Sequence, residues 1–279
     1  MAAGRIAYQG CPLCEAASIE RLGRYDCRNH PLYKAPLPPL MQWCRCAACG
    51  HVFTDGYFNE EALGVLFSRA HAHQQPGTDA EQGRNLWARV VERVAAMAPG
   101  APQRGLEAPT APGRWLDVGF GDGTLLMTAQ EWGFDVLGID LRGDSVEALR
   151  ALGVPARRTA LEQLDEPGEF DVITMADVLE HMPFPLPALD QVHRLLGERG
   201  VLYLSMPNAD TASWRSLDRE GRNPYWVEIE HYHNFTRERL QGLLRRRGFE
   251  PIWYGISNRY KCGMEIIARR TGPGGAGDH

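Results

Sequence analysis

The chain has 279 residues, room for one large domain or one domain with a small module. Its 30 Lys and Arg against 35 Asp and Glu leave a formal charge of −5, so no global basic field draws it to nucleic acid. Hydrophobic residues make up 44% of the sequence, enough for a sizeable core, yet no apolar run approaches bilayer-spanning length, which speaks against membrane insertion.

The opening stretch, Met1-Ala2-Ala3-Gly4-Arg5, lacks the apolar core of a signal peptide, so the expected location is the cytosol. Six of the seven cysteines precede residue 50, and in a reducing compartment such clustering favours metal over disulfides. Cys11-Pro12-Leu13-Cys14 and Cys46-Ala47-Ala48-Cys49-Gly50 form two C-x-x-C knuckles. Two intervening residues let both thiolates of a knuckle reach one ion, and zinc takes four such ligands tetrahedrally. Cys11, Cys14, Cys46 and Cys49 are therefore the expected ligands of one structural zinc. Cys44 offers a competing C-x-C register, while Cys27 and His30 read as ordinary loop residues. Residues 1–55 are too few for a self-sufficient core, and the metal supplies the missing folding energy. The prolines between residues 30 and 40 exclude a helix or a central strand there.

Residues 56–113 read as a helical segment and linker. A helix is expected over 60–69, followed by an aperiodic stretch in which His71 and His73 form an H-x-H pair with no third ligand nearby and read as solvated loop histidines. Leu86, Val90, Val91, Val94 and Met97 recur at helical spacing over about 81–98, and a Pro/Gly-rich linker follows.

From 114 onward, strand and helix patterns alternate as in a doubly wound parallel sheet. Leu116-Asp117-Val118 runs into Gly119-Phe120-Gly121-Asp122-Gly123, and a helical pattern starts at once. Glycines so spaced between strand and helix make a ligand cradle, with free helix N–H groups for an electron-rich ligand. The dinucleotide pattern G-x-G-x-x-G fails because Thr124 stands at its third glycine. Asp140 ends the next strand about 20 residues on, where an acid accepts hydrogen bonds from ribose hydroxyls.

The D-x-G-x-G-x-G pattern resembles motif I of class I S-adenosylmethionine (SAM) methyltransferases. Asp177-Val178-Leu179-Glu180-His181 resembles the family's segment after its fourth strand, and Met206-Pro207-Asn208 resembles the end of its fifth. The resemblance implies a Rossmann-like fold over 114–270: a mostly parallel seven-stranded sheet with an antiparallel edge. It also implies SAM contacts at Asp117, Gly119, Phe120, Gly121 and Gly123 in the first turn, and at Asp140 and Leu141 in the second. Ala160 and Leu161 are the implied adenine neighbours; many relatives carry an acid there, so backbone groups do that work here. Ala176, Asp177 and His181 complete the implied set. Phe120 stands where relatives often have Cys, its ring either covering the cofactor or packing in the core.

Glu230-His231, with Phe235-Thr236 after it, resembles the "EHLxYFS" signature of zinc-containing sugar C-methyltransferases, where the pair takes part in deprotonation. That resemblance covers the knuckles and central fold but not the large C-terminal domain of those enzymes. It implies His231 as base and Glu230 as its orienting partner, with the rate rising through a pKa near 6.5; the competing reading makes His231 a structural loop residue. A basic helix over 237–247 and strands near 249–257 and 262–269 close the domain, and residues 271–279 read as a disordered tail. The expected activity is SAM-dependent methylation of a small-molecule, natural-product or peptide acceptor at C, O or N. The alternative is a non-catalytic SAM-fold scaffold whose zinc module docks a partner.

Overall fold

The computed structural model describes residues 3–68, 75–99 and 113–272. His71 and His73, nearly all of the linker and the tail from residue 273 lie outside the described residues.

Short strands β1 (Arg5–Ala7), β2 (Ile19–Asp26), β3 (Leu40–Cys46), β4 (Val52–Thr54) and β5 (Gly56–Phe58) precede helices α1 (Glu60–Phe67) and α2 (Ala80–Ala95). Then come β6 (Arg114–Val118), α3 (Thr124–Trp132), β7 (Asp135–Asp140), α4 (Gly143–Ala151), β8 (Ala156–Arg158) and β9 (Phe170–Ala176). After these follow α5 (Pro185–Leu195), β10 (Leu196–Pro207), α6 (Ala212–Arg219), β11 (His233–Asn234), α7 (Arg237–Arg246), β12 (Phe249–Ile256) and β13 (Gly263–Arg270). The helices start where the chain offers caps. Asn59 Oδ1 accepts from Ala62 N, Thr211 Oγ1 from Trp214 N and Thr236 Oγ1 from Arg239 N.

Seven strands form one sheet in the order β12-β13-β10-β9-β6-β7-β8. β8, β7, β6, β9 and β10 run parallel, and β13 lies antiparallel between β10 and β12. Two apolar layers enclose the sheet, because parallel strands bury both faces. One gathers Val90, Val91 and Val94 of α2 with Leu125, Leu126 and Leu149 of α3 and α4; the other gathers α5 and α7 through Leu189, Val192, Leu240 and Leu243. After β6 the chain adds β7 and β8 on one side, then crosses to place β9 on the other. The strand order therefore reverses at β6, and a crevice opens at the carboxyl ends of β6 and β9.

A second, four-stranded sheet has the order β11-β4-β3-β2. Its outer strand β11 comes from the segment after the large sheet's fifth strand, with His233 opposite Phe53 and Asn234 opposite Val52. The cysteine-bearing residues are thus tied by backbone hydrogen bonds to the Glu230–Thr236 stretch. Cys11, Cys46 and Phe53 share one apolar cluster with the large sheet. No described helix is long and apolar enough to cross a membrane.

Candidate functional site

The glycine turn sits at the reversal point. Gly119, Gly121 and Gly123 all have positive φ (65°, 59° and 73°), a region where an L side chain is strained. Gly119 N–H donates to Ile139 O at 2.8 Å, locking the turn to β7. A Cβ on Gly123 would lie 2.5 Å from Leu149 Cδ1. Asp122 Oδ1 accepts from Thr124 N (2.9 Å) and Thr124 Oγ1 (2.7 Å), capping α3. Helix α2 lies on this corner through Gly83, whose absent Cβ would meet Thr124 Cγ2 at 2.6 Å. The Phe120 ring packs in the core instead: a Cβ on Gly138 would meet it at 2.8 Å. Phe120 therefore offers the crevice its backbone rather than a ring lid.

Asp117 is buried below the turn and accepts from Thr174 Oγ1 at 2.6 Å across the β6–β9 pairing. Burial raises its pKa to about 7, against the Thr174 hydrogen bond, which lowers it. Asp140 ends β7. Its Oδ1 accepts from Arg142 N (2.8 Å) and Nε (2.9 Å), and its Oδ2 from Nη2 (2.7 Å). Three of roughly four lone-pair sites are thus in use, so binding two ribose hydroxyls needs the Arg142 guanidinium to swing aside. Leu141 beside it is 62% exposed, an apolar face suited to a heterocycle. Ala160 precedes a short 3-10 turn from Leu161 to Gln163; the Leu161 side chain is buried and its carbonyl accepts from Gln191 Nε2.

After β9, Asp177 adopts a left-handed φ of 57°. Its Oδ2 takes Arg259 Nη1 at 2.9 Å, and its Oδ1 takes Tyr260 OH and Ser205 Oγ. Arg259 also stacks 4.3 Å over Trp87 of α2, so the β12–β13 loop, α2 and the β9 end are held together. Four residues on, the His181 and His231 rings meet edge to face with centroids 4.6 Å apart, and the Tyr225 ring lies 6.1 Å from that of His231. His231 is buried with no hydrogen bond at Nδ1. Burial, then the neighbouring His181, hold its pKa well below 6.5. The expected pH limb near 6.5 is corrected accordingly: the imidazole stays neutral to lower pH because its cation is desolvated. Nearby Glu230, also buried, favours the charged form but is outweighed. Glu180 went unrecognised in the sequence despite its place beside His181. It is 1% exposed, and burial, then Asp177, push its carboxyl well above the usual range. His30 also joins this end, its Nε2 2.7 Å from Glu228 Oε1.

His233 has a different task. Its Nε2 must donate to the Met182 carbonyl (2.9 Å), leaving Nδ1 to accept from His51 Nε2 at 3.0 Å. It pins β11 and the chain after Cys49 to the His181 turn. Tyr232 N adds a bond to Glu180 O at 2.9 Å.

The sulfur atoms of Cys11, Cys14, Cys46 and Cys49 lie within 4.8 Å of one another, with Cys11–Cys49 at 3.7 Å and Cys14–Cys46 at 3.6 Å. Tetrahedral zinc with bonds of about 2.3 Å spaces its sulfurs roughly 3.8 Å apart, so the donor set fits. Cys44 is buried in the core outside this group, and so is Cys27. A groove of about 910 Å³ between α2 and the β12–β13 end, lined by Leu86, Arg93, Ile256 and Glu265, is separate from the glycine turn and Asp140.

Strand order, the glycine turn at the reversal point and the acid ending the next strand define the class I, Rossmann-like methyltransferase fold. Among solved structures, the Burkholderia thailandensis 1,6-didemethyltoxoflavin-N1-methyltransferase, bound to 1,6-didemethyltoxoflavin and S-adenosylhomocysteine, is similar. It has a TM-score of 0.56 at 21% identity over 79% of this chain and 96% of that one. The magnesium protoporphyrin IX methyltransferase of Synechocystis PCC 6803 reaches 0.52 at 20% identity over 69% and 86%. The chain belongs to the methyltransferase-domain family, whose sequence profile matches residues 80–253. Curated relatives include the ubiquinone biosynthesis O-methyltransferases of Pseudomonas paraeruginosa, 35% identical over 36% of this chain and 46% of the relative, and of Ruegeria pomeroyi, 33% over 53% and 64%. The chain spans about half the length of the curated relatives it matches.

Proposed function

We propose that this chain binds SAM in the crevice at the carboxyl end of β6 and methylates a small molecule, with a structural zinc on Cys11, Cys14, Cys46 and Cys49. When bound, SAM supplies an electrophilic methyl group. The backbone of Gly119–Gly123 gives it close approach, Asp140 takes the ribose hydroxyls and Leu141 lies against the adenine. Ala160 and Leu161 edge that ring, while Ala176, Asp177 and His181 face the sulfonium end. The acceptor lies toward His231, which takes its proton as a neutral imidazole, with Glu230 stabilising the cation that forms. The one observation that carries this reading is the positive-φ glycine turn set beside Asp140 at the strand-order reversal. The curated relatives are named O-methyltransferases, which supports a hydroxyl as the accepting group.

The zinc module serves the reaction indirectly. Through β4–β11 pairing and His51–His233 it steadies the loop carrying His231. Methyl-labelled SAM incubated with a small-molecule extract tests the function: label should enter a low-mass product with wild-type protein and not with Gly121→Val. Label transfer to neither extract nor peptides would reject it.

A further inference from the structure

Three buried polar atoms in the His181 region have no hydrogen-bond partner: both carboxylate oxygens of Glu180 and Nδ1 of His231. Glu180 is 1% exposed and His231 6%. Groups buried in this way are normally paired, because a polar atom removed from water without a partner is costly. The Arg259 guanidinium, the cation that acts on Glu180 electrostatically, is bonded to Asp177 and Ser205 instead. One ligating atom from each of Glu180, His181 and His231 falls within 4.8 Å of the other two.

We infer that Glu180, His181 and His231 bind one divalent transition-metal ion, at a site distinct from the four cysteines. One ion satisfies the orphaned carboxylate and the imidazole together. Two imidazoles and one carboxylate suit zinc or cobalt, whereas magnesium and calcium require oxygen shells. Bonds of about 2.0–2.2 Å in a tetrahedral shell set donors roughly 3.4 Å apart, so from separations of at most 4.8 Å these groups draw in by no more than about 1.4 Å on binding. Three protein ligands leave a position for an exchangeable group. The kinetic consequence rests on the reading of His231 as base: ligation takes the imidazole lone pair, so the ion and the acceptor's proton compete for it and the ion inhibits.

The test starts from protein whose cysteine site is already filled with zinc. Cobalt(II) is titrated by absorption spectroscopy and zinc by calorimetry, with magnesium as contrast, into wild type, Glu180→Gln and His181→Asn. Thermal melting and far-ultraviolet circular dichroism establish that each variant is folded. Wild type should take up a second equivalent of cobalt or zinc and little magnesium. Each variant should weaken that equivalent by at least tenfold, since loss of even an outer hydrogen-bonding partner costs 10–100-fold. Turnover should fall as the second equivalent fills. No second equivalent, or one bound equally well by both folded variants, overturns the site while leaving the base reading untouched. A second equivalent that weakens in the variants but raises turnover upholds the site and refutes the free-imidazole base.

Discussion

Replacing Gly123 by alanine probes the cradle where its geometry is most demanding. At φ 73° an L residue carries about 1–2 kcal/mol of left-handed strain. The new Cβ would also stand 2.5 Å from Cδ1 of Leu149, itself fully buried and packed against Gly138, so the core must shift at about 1–3 kcal/mol. Together these give about 2–5 kcal/mol, reduced by the roughly 0.4–1 kcal/mol that alanine gains through the unfolded chain. Gly153 is the internal control, with φ 80° and no atom within 4 Å of an added Cβ, so Gly153→Ala carries only the strain. Urea denaturation of both variants isolates the Leu149 contact as the difference in midpoint at constant slope. Gly123→Ala should be the less stable by about 1–3 kcal/mol and should bind SAM more weakly. Equal midpoints would refute the packing argument.

Other outcomes follow from the same geometry. Asp117 has a folded pKa of about 7 against an ordinary 3.8, so the folded state holds its proton. Its contribution to stability is present below pH 4 and lost as pH rises through about 7, and Asp117→Asn should remove that slope in pH-dependent melting. Cys11→Ser should strip zinc and lower solubility while Cys44→Ser retains the metal; elemental analysis finding the reverse would reject the ligand set. Arg142→Ala frees Asp140 from a largely buried, charge-assisted pair, so SAM should bind tighter by calorimetry, and weaker binding would contradict the competition. His231→Ala and Glu230→Gln should cut single-turnover rates by roughly 10²–10⁴ with SAM affinity nearly intact. A SAM affinity that collapses with the rate would make His231 structural.

The large sheet was legible because its signals are local. Gly119, Gly121 and Gly123 mark a turn that only glycine accommodates, and Asp140 follows at a fixed βαβ interval. Helices α1, α2, α3 and α7 start within about two residues of their expected positions, since apolar periodicity and caps such as Thr236 are written in the chain. The small strands were not legible. β2 is mostly exposed, and β11 is two residues long and exists only through pairing with β4, a partner 180 positions away by His233 and Phe53. Helix α6 passed unnoticed because only Trp214 is buried along its length. The cysteine register was ambiguous for a similar reason: Cys44 and Cys46 are near-equivalent in sequence, and only the fold brings Cys46, not Cys44, to Cys14. Glu180 is a charged residue in a short helical turn, and nothing local reports that tertiary packing buries it against His231.

The central claim is that the crevice at the carboxyl end of β6 binds SAM through the glycine turn and Asp140. Calorimetric titration of SAM into wild type and Asp140→Ala tests it most directly. The account predicts one molecule bound per chain and a loss of about 1.5–3 kcal/mol in the variant, the worth of a charge-assisted contact. Equal affinity in the two proteins, with both folded, would contradict it.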